Sequence, residues 1–408
     1  LVCTIALSSI LCLNSCTKDG KDKALQIEPK SSIVFIGNTF IDRMQLFGHF
    51  ESFLHSQFPS HRLKIRNMGW PADEVALRPR PSGFGNMHRY LEEEKADIIF
   101  ASYGLNESFK GADSLKSFSK NLKIWLNDLK SHQYNGKSAP TIVLISPMAH
   151  EALEKLPDGI EHNKDIRLYT AAMKEVASEL NLTFVDLFTP TFKYINSEEK
   201  KKLTYNGIHL TAYGDWRVSH MLTQSLFNIN AFPKSIKKDS QNSQLTSLYR
   251  TIYDKNYTYL QYWRGPNMEY VYGSRKEAGG ATGVDLERRQ LINITEQYDK
   301  KIWSSSKPNA EAIWQHLPSN SNSWTNTPSY EGIKIPEHLQ DKLNEPLEGD
   351  DKAGEILSVE GALNAFHLPK GYKISLYASE QDFPLANPMA MNFDSKGRLW
   401  VANTPTWP

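Results

Sequence analysis

Between residues 30 and about 230, short apolar runs alternate with longer stretches of helical periodicity. This alternation constrains the fold more than any other feature of the chain. Strand candidates lie at 33–36, 63–66, 97–101, 141–145 and 183–187, and candidate helices near 40–57, 86–95, 114–131, 164–180 and 211–226. Strand, helix, strand at this spacing predicts an α/β domain with a parallel sheet covered on both faces. The runs are dense in Ile, Val, Leu and Phe, as burial on both sides of a sheet demands. Ligands of such sheets sit outside the carboxyl ends of the strands. That rule selects four places: 37–42, 67–73, 102–108 and 146–150.

Polar and glycine residues gather where the rule points. Gly37-Asn38-Thr39 follows the first run, and Gly69 closes the second in IRNMGWPADEV. Gly104 and Asn106 follow the third in IIFASYGLNES, and His209 ends LTYNGIH before a helix. These residue types suit attack on an ester. The carbonyl oxygen becomes negative and needs fixed donors. The backbone N–H of residue 39, that of Gly69 and the Asn106 amide are candidates. A histidine beside the attacking hydroxyl takes its proton and returns it to the leaving group. A carboxylate behind the ring holds the tautomer and stabilises its charged form. Each residue also has a plainer reading: Thr39 as a helix N-cap, Asn106 and Glu107 as loop pins, His209 as a packing histidine, and Gly69 and Gly104 as turn glycines.

The four blocks resemble those of the SGNH, or GDSL-like, hydrolase family over roughly residues 30–230. That family's pattern is GDS after strand one, a glycine after strand two, GxN after strand three and DxxH near the end. Here these read Gly37-Asn38-Thr39, Gly69, Gly104-Leu105-Asn106 and Asn206-Gly207-Ile208-His209. The resemblance implies a flavodoxin-like three-layer sandwich. It also implies an esterase acting on acylated carbohydrate or another small ester. Thr39 would be the nucleophile, His209 the base and Asn206 the third member, with Thr39, Gly69 and Asn106 as the oxyanion hole. Two departures weaken the chemistry. The Thr39 methyl restricts rotamers and crowds the approach, and the Asn206 amide cannot counter a charged imidazole. Asp42, Asp73 and Asp215 are the carboxylates that could take its place. The alternative reading is an inactive domain that binds carbohydrate or organises a neighbouring propeller.

The remaining chain sets the context. Residues 1–16 are apolar and end in Leu-Asn-Ser-Cys, which is similar to a bacterial lipobox; a lipoprotein signal is expected, with Cys16 lipidated. Residues 17–29 are expected to be a polar tether, and the protein to be exported and membrane-anchored. All three cysteines lie before residue 17, so the body has no CxxC metal site, CxxCH haem attachment or thiol nucleophile. There is no GxSxG elbow or HExxH motif, and GFGNMH (83–88) follows RPRPS rather than a buried strand. No metal site or cofactor is expected in this chain. A formal net charge of +1, without blocks of like charge, offers nothing to nucleic acid.

The SGNH-like domain is expected over 30–232, a mostly helical, aromatic extension and linker over 233–350, and the first blade of a β-propeller over 351–408. GYKISLYA (371–378) reads as a strand, and 389–403 as two strands joined at Asp394-Ser395-Lys396-Gly397. NYTYLQYWRGPNMEYVYGSRK (256–276) with this blade looks like large secreted bacterial proteins, whose SGNH-like domain precedes a sugar-dehydrogenase-like propeller and a haem-binding domain. In that group GNT recurs in the first block. The resemblance implies that this chain is a fragment whose propeller and haem partners lie downstream. Tyr262, Trp263 and Tyr270 are read either as lining a carbohydrate pocket or as gluing the extension to the first domain.

Overall fold

The computed structural model describes residues 24–81, 83–154, 159–198, 201–233, 243–265, 268–272, 281–316, 332–334, 358–379 and 388–403. Cys16 and the lipobox lie outside them. The chain divides into two compact units, Leu1–Gln340 and Asp341–Pro408.

The first unit is built on five parallel strands: β1 (Ser32–Gly37), β2 (Lys64–Gly69), β3 (Ile98–Ser102), β4 (Thr141–Ile145) and β5 (Thr183–Val185). Their order is β2-β1-β3-β4-β5, the flavodoxin-like arrangement. Strand periodicity explains the double burial. Ile33 and Phe35 join one core with Phe50, Phe53 and Trp216. Val34 and Ile36 join the other with Tyr90, Trp125 and Trp263. The result is a parallel sheet flanked by helices, consistent with the sandwich that the resemblance implies.

The flanking helices are α1 (Thr39–Phe47), α2 (His49–Gln57), α3 (Met87–Glu94), α4 (Leu105–Ser108), α5 (Leu115–Ser131), α6 (Gly159–Glu179), α7 (Phe188–Ile195) and α8 (Ala212–Phe227). The single helix expected at 40–57 is two. Gly48, at φ 67°, ends α1 and opens α2, and a Cβ there would meet Ile252 Cγ2 at 2.8 Å. The fifth strand stops at Val185 rather than 187. There Asp186 turns the chain by accepting from Thr189 N and Oγ1 (2.9 and 2.7 Å), which starts the unanticipated α7.

The described helices of the expected extension are α9 (Ser243–Trp263), α10 (Met268–Tyr272), α11 (Ala281–Ser304) and α12 (Ala312–Gln315). It covers the β2 edge of the sheet. Lys255 Nζ donates to Ile65 O (3.0 Å) and Trp303 Nε1 to Leu63 O (2.9 Å). Arg66 and Asp299 pair through two hydrogen bonds (3.0 and 2.5 Å), with Arg66 1% exposed. Side chains thus engage carbonyls that an exposed edge strand would offer to another chain. Residues 24–29 also belong to this unit: Leu25 N donates to Leu226 O at 2.8 Å and Ile27 is buried.

The second unit shows α13 (Val359–Ala365) and an antiparallel pair, β6 (Pro388–Phe393) and β7 (Leu399–Asn403). Asp394 Oδ1 accepts from Lys396 N and Arg398 N (2.9 and 3.0 Å), and Gly397 has φ 74°, which makes the expected turn. The strand expected at 371–378 is irregular instead. A strand needs a ladder, and none of the described residues pairs with this one. Propeller geometry is absent among the described residues.

Candidate active site

β1 delivers the first block. Gly37 has φ 151°, and a Cβ on it would sit 2.3 Å from Ser102 O. Asn38 N donates to that same carbonyl at 3.2 Å. The Asn38 side chain accepts from Phe40 N (3.1 Å), so Asn38 is the N-cap of α1 and Thr39 the first helical residue. The Thr39 N–H has no acceptor among the described residues, as is usual in a first helical turn. Its Oγ1 accepts from Ala72 N at 3.0 Å.

The second block is shaped by packing. A Cβ at Gly69 would lie 2.4 Å from Asp42 N and 2.7 Å from its Cα. Glycine is therefore required for α1 to lie across β2. The Gly69 N–H donates to Asn67 Oδ1 (2.9 Å), whose Nδ2 donates to Ile41 O (2.6 Å). In the third block, Glu107 accepts from Gly104 N (2.9 Å) and Val75 N (2.8 Å), tying the loops after β3 and β2 together. Burial raises its pKa above the ordinary carboxylate value. The half-buried Asn106 amide makes no hydrogen bond among the described residues, which leaves it open to a ligand.

The fourth block shows what an asparagine at position 206 does. Asn206 Oδ1 accepts from His209 N at 2.9 Å, which points its Nδ2 at His209 Nδ1, 3.0 Å away. An amide NH₂ only donates. Nδ1 must therefore accept, and neutral His209 carries its proton on Nε2. A carboxylate would enforce the opposite tautomer and free Nε2 as a base. Tyr205 OH is also 3.2 Å from Nδ1. Burial, and then the charge of Arg43, lowers the His209 pKa. Arg43, one turn beyond Thr39, donates to Leu210 O (3.3 Å) and lies 5.3 Å from the Tyr205 ring centre. It joins α1 to the histidine loop. No hydrogen bond links Thr39 to His209 among the described residues.

None of the candidate carboxylates serves His209. Asp42 pairs with Arg264 (3.0 Å), Asp73 with Arg80 (2.8 and 2.6 Å) and Asp215 with His49 (2.7 Å). The acid that matters to the loop is Glu151, which sequence reasoning missed. Its buried carboxylate accepts from Leu203 N (3.1 Å), Thr204 N (2.8 Å) and Thr204 Oγ1 (2.6 Å), while Glu151 N donates to Gly207 O (2.8 Å). The available signal was its place after strand four, one residue past the selected 146–150 span. Trp263 is fully buried against Trp70, Phe84 and Tyr90. Tyr262 donates to Glu93 (2.7 Å), so both glue the extension on. The Tyr270 side chain lies outside the described residues.

A family model described as a domain of unknown function (DUF7133) matches residues 358–408. No curated protein matches the chain by sequence. Among solved structures, the acetylxylan esterase Axe2 from Geobacillus stearothermophilus is 17% identical, with a TM-score of 0.37 over 50% of this chain and 96% of its own. BT4096, described as a gut microbial diltiazem-metabolizing enzyme, is 10% identical, with a TM-score of 0.47 over 71% of this chain and 96% of its own. LAE5, an alpha/beta hydrolase enzyme from the metagenome of Lake Arreo, Spain, is 15% identical, with a TM-score of 0.39 over 50% of this chain and 99% of its own.

Proposed function

We propose that the first unit is an SGNH-type ester hydrolase domain for acylated carbohydrate, held at low turnover by its own histidine partner. The Asn206–His209 hydrogen bond carries this reading. It fixes a half-buried imidazole on the loop that Arg43 ties to the Thr39 helix, but in the tautomer that gives Nε2 a proton to donate. The Thr39 N–H and the Asn106 amide are available to an oxyanion, whereas the Gly69 N–H is engaged by Asn67. Attack by Thr39 would place the carbonyl oxygen on these donors. Nε2 would take the Thr39 proton only after the ring's own proton has moved to Nδ1 and broken the Asn206 hydrogen bond; the imidazolium would then return a proton from Nε2 to the leaving group, and the tautomer change would be the slow event. Export and a lipid anchor through Cys16 belong to the same proposal, as does a propeller and haem-protein context for residues 351–408.

The test is gain of function. Short aryl acetates and acetylated xylan are the substrates, with Thr39→Ala and His209→Ala as background. Asn206→Asp should raise kcat/KM by about 10² or more, since the wrong tautomer costs a serine protease about 10⁴, a figure from that enzyme class and not from this chain. Thr39→Ser in the same background should add to it. If every variant stays at the alanine background, the domain is not a hydrolase of these esters. A second reading, a binding or scaffolding domain without turnover, is favoured by one contact: Thr39 Oγ1 is held by Ala72 N–H rather than by His209.

A further inference from the structure

The helix pair on the opposite flank from the histidine loop holds a cluster that the hydrolase reading does not use. We propose that His88, Asp128 and His132 bind a divalent transition-metal ion, zinc foremost. One ligand atom from each residue lies within 4.8 Å of the other two. His88 is in the first turn of α3, Asp128 in the last turn of α5, and His132 caps that helix four residues later. Two imidazoles and a carboxylate suit zinc or another borderline ion better than magnesium or calcium. Zinc–nitrogen bonds of about 2.0–2.1 Å place tetrahedral ligands roughly 3.3 Å apart. The side chains would close by at most about 1.5 Å, and Asp128 and His132, 48% and 35% exposed, have room to do so while His132 Nδ1 stays on Asp128 O at 2.8 Å, which leaves Nε2 to the ion.

Two further features favour an ion. The His88 and His132 rings stack at 4.2 Å and 19°, which holds the two imidazoles side by side. His88 also has the kind of outer partner that orients metal-binding histidines. Its Nδ1 lies 2.7 Å from the buried Tyr134 hydroxyl and its Nε2 2.9 Å from Asp128 Oδ2. When the ion takes Nε2, the ring's single proton moves to Nδ1 and is donated to Tyr134, because a phenol can give or accept. The neighbouring cations are accounted for: Arg80 is paired with Asp73, and Arg78 lies 5.4 Å from the Trp125 ring centre. Both line a cavity of about 190 Å³ that His88 and Asp128 border, where remaining coordination positions would open. Sequence motifs did not show this site because its ligands come from two helices 40 residues apart.

Zinc chloride titrated into the full chain by calorimetry should show an equivalent that His132→Ala removes, and that Asp128→Asn and Tyr134→Phe each weaken about 10–100-fold. Far-UV circular dichroism checks that each variant is folded. Cobalt(II) added to the unaltered chain should give tetrahedral visible bands that zinc abolishes, a readout that needs no variant. Zinc affinity unchanged in all three variants would overturn the proposal, as would cobalt spectra of the free hexaaqua ion.

Discussion

At the residue scale, the Asn206 side chain decides which ring nitrogen of His209 carries the proton. Asn206 donates where a carboxylate would accept, so the His209 tautomer is set by hydrogen-bond chemistry alone. Arg43 adds a second influence. Its charge lowers the His209 pKa after burial has done so. Arg43→Gln should therefore raise the His209 midpoint, still short of the ordinary value, in an NMR titration of the ring protons. An unmoved midpoint would show that the guanidinium is screened from the ring. The same shift bears on stability. A histidine with a lowered folded pKa costs nothing above its unfolded value near 6.5, and destabilises as pH falls below it toward the folded pKa.

At the element scale, β2 is the vulnerable strand. It lies at the edge of the sheet, and its protection comes from side chains of α9 and α11. Arg66 is buried at 1% exposure and depends on Asp299, with Glu94 3.5 Å away as a lesser partner. Asp299→Ala strands a buried guanidinium and should cost about 3–5 kcal/mol, read from the urea midpoint. A loss below about 1 kcal/mol would mean that Glu94 suffices, since exposed pairs contribute no more than that. The sequence marked the extension as mostly helical without placing α9. Nor could it show that α9 satisfies Ile65 O, because Lys255 and Ile65 are 190 residues apart.

At the scale of the whole molecule, the extension is part of the first unit and not a neighbour to it. Both cores of the sheet include its residues: Trp314 in one, Tyr259 and Trp263 in the other. Deleting 243–316 would expose the β2 edge and both apolar surfaces. Soluble oligomers or aggregates are expected by light scattering. A monomer with native circular dichroism would show that the sheet needs no such cover.

The sequence by itself determined the parallel α/β sandwich, because double-sided burial writes a run of apolar residues for every strand and a glycine wherever backbones meet. It also located the Gly37–Thr39 and Gly104–Asn106 blocks at strand ends and the Asn206–His209 block ahead of α8. Residue choice is local chemistry there, so the Asn206 substitution was visible at once. Tertiary structure alone decided which acids are free. Asp42 and Asp215 are taken by Arg264 and His49 from other elements and Asp73 by Arg80 of its own loop, while Glu151 holds the histidine loop. It alone turned Gly69 from a presumed donor into a packing residue, and brought His88 beside His132. Those outcomes depend on distances between parts of the chain that are remote in sequence, which no local pattern encodes.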